Sequence, residues 1–428
     1  MKSKLKIACV GNMNNNMFAL VRHLRKQGYN AELIHTVEFD HFKPEADTFE
    51  KIDQSYIKEF DFFKSDLLYT DKRMVNDYFS EYNFVIACGY SIAYLTFCKV
   101  KIDVVLPYGA DLYDLPFFEP SALNNEYSNK QRAALAENQK KGIEDANVVI
   151  FDYTNDEFEK IIEKFNFKGT RYKLTFPFIF THEFNSENTA HLRSKGKFTG
   201  KMTELRKDFN FIAFNHIRQS WKNHLDIWSY KGNERIFKAF GNFLNSKNAN
   251  ACLIVFEYGP DVEESKLLIK ELGIEKNVVW FPISERKEIL NMISFADVGI
   301  GEVGDHSWFS YGAIFEFLCM RKPVIHFRKD SLYVGKVDSL YPMYSVATEE
   351  ELFTALNDCY TNKDKAITLA TESHNWFIKH AINKPLDILI SQMIKKDLIF
   401  NSVDRQLTKF SLWLESVLFF IKLKLKLT

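Results

Sequence analysis

Short apolar runs of strand length alternate with longer amphipathic segments along most of this chain. The first run, residues 4–11, ends in glycine, and residues 17–28 follow with Phe18 and Val21 spaced as on one face of a helix. A second apolar run lies at 31–36. Strand, turn, helix and strand in this order predict the start of a parallel α/β sheet.

The alternation continues in two blocks, separated by a polar stretch. Residues 182–208 show little apolar periodicity, and we interpret them as a domain linker and an exposed edge. The remaining predicted strands lie at 83–89, 103–109, 147–151, 172–178, 211–216, 251–259, 277–282, 297–303 and 324–327, and the main predicted helices at 128–146, 154–165, 231–246, 264–273 and 286–296.

This pattern predicts two doubly wound α/β domains. We place the N-terminal domain at 1–184, the linker at 185–208 and the C-terminal domain at 209–384. Ligands of such sheets bind beyond the carboxyl ends of the strands, so two facing domains would form a cleft between them.

Composition excludes some classes of function. The 428 residues contain 56 acidic and 56 basic side chains, so the zero formal charge gives no general attraction to nucleic acid. The six cysteines include no closely spaced pair of the metal-ligand type, which is typical of buried thiols in a reducing compartment. With no signal peptide and no apolar run of about 20 residues, a cytoplasmic protein is expected.

Five segments of the second block carry a resemblance to a known family. They read FNHIRQSW (214–221), KGNERIFKAF (231–240), LIVFEYGPDVEESKLLIKELGIEKNVVWFP (253–282), SFADVGIGEV (294–303) and YGAIFEFLCMRKPVI (311–325). In this order they resemble the nucleotide-sugar domain of GT-B glycosyltransferases, most closely the large retaining group called family 4. The N-terminal half agrees only in architecture, in its glycine-containing first turn and in the glycine–aspartate turn within 107–117.

The resemblance implies a fold and a reaction. It implies two Rossmann-like domains, with C-terminal helices (385–428) that complete the first domain and a crossover near 374–394. It also implies transfer with retention at the anomeric carbon, no obligatory metal and no cofactor beyond a nucleoside-diphosphate sugar as co-substrate.

Arg218 and Lys231 are the predicted diphosphate ligands. A departing nucleoside diphosphate develops negative charge, which two cations stabilise without a metal, and the helix N-terminus beside Lys231 adds to the field. The family resemblance assigns both residues this role. The gap between them is longer than usual, so Lys222 is a rival second cation, and two solvated surface cations are the alternative.

Glu316 stands alone among apolar residues, where an unpaired carboxylate would be costly. The resemblance implies that it accepts hydrogen bonds from the ribose of the donor, with the small Gly312 one turn earlier leaving room. A helix glutamate satisfied by a core arginine or by water is the alternative.

The family's earlier glutamate is missing, because Trp308 occupies its position. Glu302 or Asp305 could replace it near the donor sugar. The amides of Ser310, Tyr311 and Gly312 could bind a phosphate, or Ser310 could simply cap the helix.

Four further residues are weaker candidates. Gly11 and Asn12 begin a polar loop near the donor phosphates or the acceptor, or form a plain turn. Asp111 contacts the acceptor or acts as a base, or only caps a β-turn. His216 contacts the donor sugar or phosphate, or is structural.

We therefore predict a metal-independent, hexosyltransferase-type enzyme that moves a sugar to a saccharide or lipid-linked saccharide in cell-surface polysaccharide or lipopolysaccharide synthesis. The amphipathic, basic tail 407–428 could contact the inner face of the membrane, or pack as a helix. A GT-B sugar-nucleotide epimerase and an inactive saccharide-binding homologue are the alternatives.

Overall fold

The computed structural model describes residues 5–35, 43–62, 66–119, 121, 124–151, 160–175, 179–223, 229–304, 309 and 312–398. Within them the chain forms a seven-stranded and a six-stranded sheet, both parallel, with strand orders β3-β2-β1-β4-β5-β6-β7 and β10-β9-β8-β11-β12-β13. The strands are β1 Lys6–Val10, β2 Asn30–His35, β3 Ile57–Glu59, β4 Phe84–Ala87, β5 Val104–Val105, β6 Val148–Phe151, β7 Thr170–Lys173, β8 Phe211–Phe214, β9 Ala251–Phe256, β10 Val278–Phe281, β11 Val298–Ile300, β12 Val324–His326 and β13 Tyr344–Ser345.

Helices connect and cover the strands, as parallel pairing requires. The α-helices are α1 Asn16–Lys26, α2 Lys72–Phe79, α3 Ser91–Phe97, α4 Ala110–Tyr113, α5 Glu126–Asp145, α6 Thr189–Lys195, α7 Thr199–Asp208, α8 Asn233–Lys247, α9 Val262–Glu271, α10 Arg286–Ile293, α11 Gly312–Cys319, α12 Glu349–Thr361 and α13 Lys363–Trp376.

The strand order decides where each sheet can bind a ligand. β1 lies between β2 and β4, and β8 lies between β9 and β11, so chain direction across the sheet reverses beside β1 and beside β8. Ligands of doubly wound sheets bind at such switch points, at the carboxyl ends of the strands. The loops that follow β1, β4, β8 and β11 are therefore the expected site, and the predicted pair of Rossmann-like domains is confirmed.

The polar segment after the first domain is more ordered than predicted. It forms α6 and α7, and Leu192 and Met202 are fully buried. The amide of Asn291 in α10 donates to the Leu192 carbonyl, so the segment packs on the second domain. The structure adds two helices to the predicted linker, whose other helical residues are exposed or partly exposed, and the domain boundaries themselves stay a prediction.

The C-terminal helices return to the first domain, as predicted. α13 continues through a π-helix, Phe377–Asn383, and the helix extends to residue 398. The Lys396 ammonium contacts both oxygens of Asp103 in the first domain, at 2.6 and 2.7 Å. Leu389 is fully buried in the core there.

Some predicted elements lie wholly or partly outside the described residues. Residues 154–159 of the predicted helix 154–165 are among them, as are 176–178 of a predicted strand and the whole tail 407–428. Among the helices that are described, none is long and apolar enough to cross a bilayer.

Candidate active site

The candidate site begins where β8 and β11 end side by side. The Asn215 side chain, directly after β8, donates to the Ile300 carbonyl at the end of β11 at 2.9 Å. This bond holds together the two loops that follow, one of which carries His216 and Arg218 and the other Glu302. These are three of the predicted residues, and they lie at the switch point of the second sheet.

Asp261 holds the loop that carries Arg218. Its buried carboxylate accepts hydrogen bonds from the backbone N–H groups of residues 221–223, two of them at 2.6 Å. Burial raises the pKa of Asp261, but these N–H groups lower it by more, so the pKa of this carboxyl is below its usual value. Asp261 is not among the predicted site residues, and the only signal for it in the sequence is its position after β9.

Arg218 is half-buried on this loop, and no carboxylate of the described residues pairs with it. Gly259 lies directly behind it, with a backbone φ of +120°. A Cβ atom at Gly259 would approach the Gln219 carbonyl oxygen to 2.3 Å, so only glycine permits this contact. The loop is therefore rigid, and its guanidinium is available to an anion.

Lys231 is tied to the same loop. Its backbone N–H donates to the Ser220 carbonyl at 2.7 Å, and the Ser220 N–H donates to the Asn233 side chain at 3.0 Å. Gly232, at a φ of +67°, lets the Val303 backbone approach the start of α8, where a Cβ atom would meet the Val303 carbonyl oxygen at 2.1 Å. The N-terminus of α8 therefore opens beside both predicted cations.

Lys231 and Glu302 contact each other. The ammonium lies 2.7 Å from a Glu302 oxygen, and both side chains are largely buried. An ammonium has three N–H donors, so this bond does not exhaust its capacity for a phosphate. The structure thus brings together two predicted donor ligands, while Asp305, the other candidate replacement for the missing glutamate, lies outside the described residues.

Lys222, the rival second cation, has a different environment. Its side chain is exposed, while its backbone N–H donates to Asp261. Which of Lys231 and Lys222 is the second diphosphate ligand stays a prediction.

Glu316 is held by two basic side chains. One oxygen lies 2.6 Å from His216 Nε2 and the other accepts from Arg286 Nε at 3.1 Å. Burial alone would raise the pKa of Glu316, but His216 and then Arg286 lower it below its usual value, so the carboxyl is ionised. These contacts match the alternative of a glutamate satisfied by a core arginine, and ribose binding stays a prediction.

Arg286 also joins the two domains. Its Nη1 lies 3.2 Å from an oxygen of Asp47, which ends the 3₁₀-helix Pro44–Asp47 of the first domain. The Asp47 side chain is 1% exposed and that of Arg286 is 7% exposed. Asp47, Arg286, Glu316 and His216 form one buried series of ionisable side chains across the cleft, which we call the cleft ion chain.

Protonation of Asp47 should make stability depend on pH. Burial raises its pKa to about 7, and the charges of Arg286 and Arg22 offset this only in part, while Glu316 adds to it. The pKa of Asp47 in the folded protein lies above the unfolded value of 3.8. The stability gained from protonated Asp47 is therefore complete below about pH 4 and is lost as pH rises through 7.

Asp47→Asn should therefore flatten the pH dependence of unfolding. Between pH 5 and pH 8 the wild type should lose roughly 1–3 kcal/mol relative to the variant, measured as the free energy of unfolding of each protein in denaturant. An unchanged difference between the two proteins across this range would contradict the assignment.

The first domain contributes the Asn-rich loop after β1. A Cβ atom at Gly11, whose φ is +86°, would meet the Cys88 carbonyl oxygen at 2.7 Å. The Asn12 side chain accepts from the Phe18 N–H at 3.0 Å and donates to Asn15 at 2.7 Å. Gly11 and Asn12 thus make the contacts of a structural turn, and their roles toward donor or acceptor stay predictions.

Gly312 faces this loop from the second domain. The Asn14 amide donates to the Tyr108 hydroxyl at 2.5 Å, and a Cβ atom at Gly312 would lie 3.5 Å from that hydroxyl and 3.8 Å from the amide. The start of α11 therefore lies against the first domain. Ser310 and Tyr311, predicted beside Gly312, lie outside the described residues, as does Trp308.

Asp111 shapes the loop after β5. One oxygen accepts the N–H groups of Tyr108 and Gly109 at 2.8 and 2.7 Å, and the other accepts the Gly89 N–H at 2.8 Å. Burial raises the pKa of Asp111, and these bonds offset it only in part. The contacts are those of the capped turn that was the alternative, and a role as a base stays a prediction.

Among the described residues, no group of three or more His, Cys, Asp and Glu side chains is arranged to hold a metal ion. This finding does not test whether the reaction needs a metal, so the predicted metal independence stays a prediction.

Comparison with known proteins identifies the fold. No protein-family model matches the sequence, and no curated protein matches it. Solved structures do: HepE of Anabaena in complex with UDP-glucose (TM-score 0.54, 14% identity, 93% of this chain and 100% of that chain) and a glycosyltransferase from Rickettsia africae (0.55, 12%, 93% and 98%). A putative UDP-N-acetylglucosamine 2-epimerase from Listeria monocytogenes also matches (0.50, 15%, 86% and 91%).

The chain thus has the GT-B fold, in which two Rossmann-like domains face each other. At identities of 12–15% the likeness concerns the fold, so the reaction is argued below from this chain's own residues.

Proposed function

We propose that this protein is a glycosyltransferase that moves a sugar from a nucleoside-diphosphate sugar to a hydroxyl of a saccharide or lipid-linked saccharide. One observation carries the proposal. Arg218 and Lys231 are fixed to one loop by the Ser220 and Asn233 hydrogen bonds, at the switch point of a GT-B donor domain. A half-buried guanidinium without a carboxylate partner among the described residues is suited to a diphosphate.

The chemistry follows from charge. As the bond from the anomeric carbon to the diphosphate breaks, negative charge grows on the diphosphate oxygens. Arg218, Lys231 and the N-terminus of α8 stabilise that charge more strongly as it develops, which lowers the barrier. Glu302, bonded to Lys231, would accept a hydrogen bond from a hydroxyl of the donor sugar. Closure of the two domains excludes water.

Glu316 would bind the donor ribose within this scheme. Each carboxylate oxygen has a second acceptor site, so ribose hydroxyls can add to the bonds from His216 and Arg286 or replace the one from Arg286. In the second case, donor binding would loosen the cleft ion chain.

Finer features are inferred from the family resemblance. They comprise membership of family 4, retention at the anomeric carbon, independence of metal, and a role in cell-surface polysaccharide or lipopolysaccharide synthesis. Contact of residues 407–428 with the inner face of the membrane would suit a lipid-linked acceptor.

Thermal unfolding with a panel of nucleoside diphosphates and nucleotide sugars tests the proposal. A specific ligand at 100 times its Kd should add about 2.7 kcal/mol of stability by mass action. No shift with any member of the panel would contradict donor binding, and would favour the inactive saccharide-binding alternative.

A variant of Glu316 tests the ribose role separately. Glu316→Gln should weaken binding of the matching nucleoside diphosphate roughly 10- to 100-fold, because bonds to a charged acceptor are lost. Inorganic pyrophosphate, which has no ribose, should bind the variant and the wild type equally. Glu288→Gln, a buried glutamate of α10 that accepts the Lys197 N–H, is the matched control. Equal weakening of both ligands would assign Glu316 a structural role only.

A sugar-nucleotide epimerase remains the alternative function, because the putative epimerase from Listeria monocytogenes has a similar fold. Incubation of the donor with and without candidate acceptors separates the reactions. A transferase releases nucleoside diphosphate mainly when an acceptor is present, whereas an epimerase changes the sugar of the donor without one.

A further inference from the structure

A second depression lies where the end of β7 meets the segment after β12 and the C-terminal helices. It comprises a cavity of about 200 Å³ and an adjoining one of about 460 Å³, which share Asp338, Ser339, His380 and Lys384. Together they fall within the roughly 300–1,000 Å³ of small-ligand pockets. No residue of the cleft ion chain and neither predicted diphosphate ligand lines it. Each domain supplies one wall, so the depression lies at the junction of the two domains.

An aromatic surface is held rigidly in this depression. The Trp376 indole N–H donates to the Ser339 carbonyl and hydroxyl oxygens at 3.0 and 2.9 Å. The Trp376 ring stacks on His380 with centroids 5.3 Å apart, and His380 Nε2 lies 3.1 Å from the Ser339 hydroxyl. Tyr172 and Phe309 also line the cavity. Trp376 and Phe309 are themselves buried, so the partly exposed rings of Tyr172 and His380 are the ones that can pack against the C–H face of a sugar.

The backbone here is unusual. The π-helix Phe377–Asn383 interrupts the crossover helix, and it carries Lys379, His380 and Asn383 into the lining. π-helical turns are rare and occur frequently at functional sites. The local irregularity therefore coincides with the cavity and with its polar side chains.

Positive charge dominates the lining. The carboxylate of Asp338 is already paired with Lys384, and Asp387 is the other acid. Burial, and after it the charges of Lys379 and Lys384, lower the pKa of His380, which is what a positive local field does to an imidazole. The cations of the lining are Arg171, Lys173, Lys336, Lys379 and Lys384.

We propose that this depression binds an acceptor saccharide that carries an anionic group, either a phosphate or a carboxylate. Tyr172 and His380 would pack against the sugar ring, and Lys336 and Lys379 would bind the anion. Lysines suit this role as point charges that bind either group. The inference rests on the proposed transferase function, and it names the chemical class of its acceptor.

Calorimetry with the full chain tests this site using glucose 6-phosphate, glucuronic acid, glucose and inorganic phosphate as probes. At least one of the two acidic sugars should bind at least tenfold more tightly than glucose and than inorganic phosphate. The better of the two identifies the anionic group. The imidazole NMR signals of His380, assigned with His380→Gln, should move on binding.

Lys336→Glu should weaken binding of the better acidic sugar at least tenfold, because it reverses an exposed charge of the lining. Lys276→Glu makes the same charge change at an exposed loop position elsewhere and should leave binding unchanged. Nucleoside diphosphate binding, measured on the same samples, should be equal in all three proteins.

Three outcomes would overturn the inference while leaving the proposed function intact, provided that nucleoside diphosphate still binds. In the first, neither acidic sugar binds. In the second, inorganic phosphate binds as tightly as the sugar phosphate. In the third, Lys336→Glu leaves the affinity for the better probe unchanged. Loss of nucleoside diphosphate binding in the wild type would instead remove the proposed function, and this inference with it.

Discussion

Arg218→Ala is expected to lower kcat for sugar transfer roughly 10²–10³-fold, the usual effect of removing one preorganised group that stabilises developing charge. The side chain is half-buried and has no carboxylate partner among the described residues, so its loss leaves no buried acid uncompensated. The fold should therefore be intact. Initial rates at saturating donor and acceptor, with the thermal midpoint measured alongside, provide the test.

Lys222→Ala is the matched control for that experiment. It removes an exposed cation from the same loop and keeps the backbone N–H that Asp261 accepts, so kcat should change less than about twofold. If Lys222→Ala lowered kcat as much as Arg218→Ala, and Lys231→Met did not, the second diphosphate ligand would be Lys222. If neither Arg218→Ala nor Lys231→Met reduced kcat, the proposed role of this loop would be wrong.

Arg286→Ala is expected to cost about 3–5 kcal/mol of unfolding free energy at pH 8, because it removes the cation that contacts buried Asp47 and one of the two basic partners of Glu316. Denaturant unfolding followed by circular dichroism measures the loss. Since two domains can unfold in separate steps, the loss of unfolding free energy should appear in the first unfolding transition of the denaturant curve. The thermal midpoint should fall with it.

Arg206→Ala is the control for this loss. Arg206 and Asp297 form a pair whose side chains are both 30% exposed, so breaking it should cost about 0.2–1 kcal/mol. Equal losses in the two variants would mean that the cleft ion chain contributes no more than a surface pair.

The sequence predicted the fold because each element carries a local signal. The apolar runs at β8 and β9 and the amphipathic run at α8 could be assigned from periodicity. Shorter elements were less accurate: β5 covers only two of the residues in the predicted strand 103–109, which contains Pro107. α6 and α7 were missed because Leu192 and Met202 are the single fully buried anchors of otherwise polar segments.

The candidate site was predictable only in part. The order of segments indicated Arg218 and Lys231, but not the Ser220 and Asn233 bonds that position them. Asp47 and Arg286 carry no motif, and 239 residues separate them. Nothing in a single sequence pairs such distant charges, because the pairing depends on how the two domains meet.

The pairing of Asp47 with Arg286 also constrains how this protein can vary among its relatives. Arg286 is tolerated in the dry interior because two acids contact it, and ionised Asp47 depends in turn on that cation. Drift at one site should therefore be followed by compensation at the other. An alignment of homologues should show the acid at position 47 and the base at position 286 retained together, or exchanged together for a neutral pair.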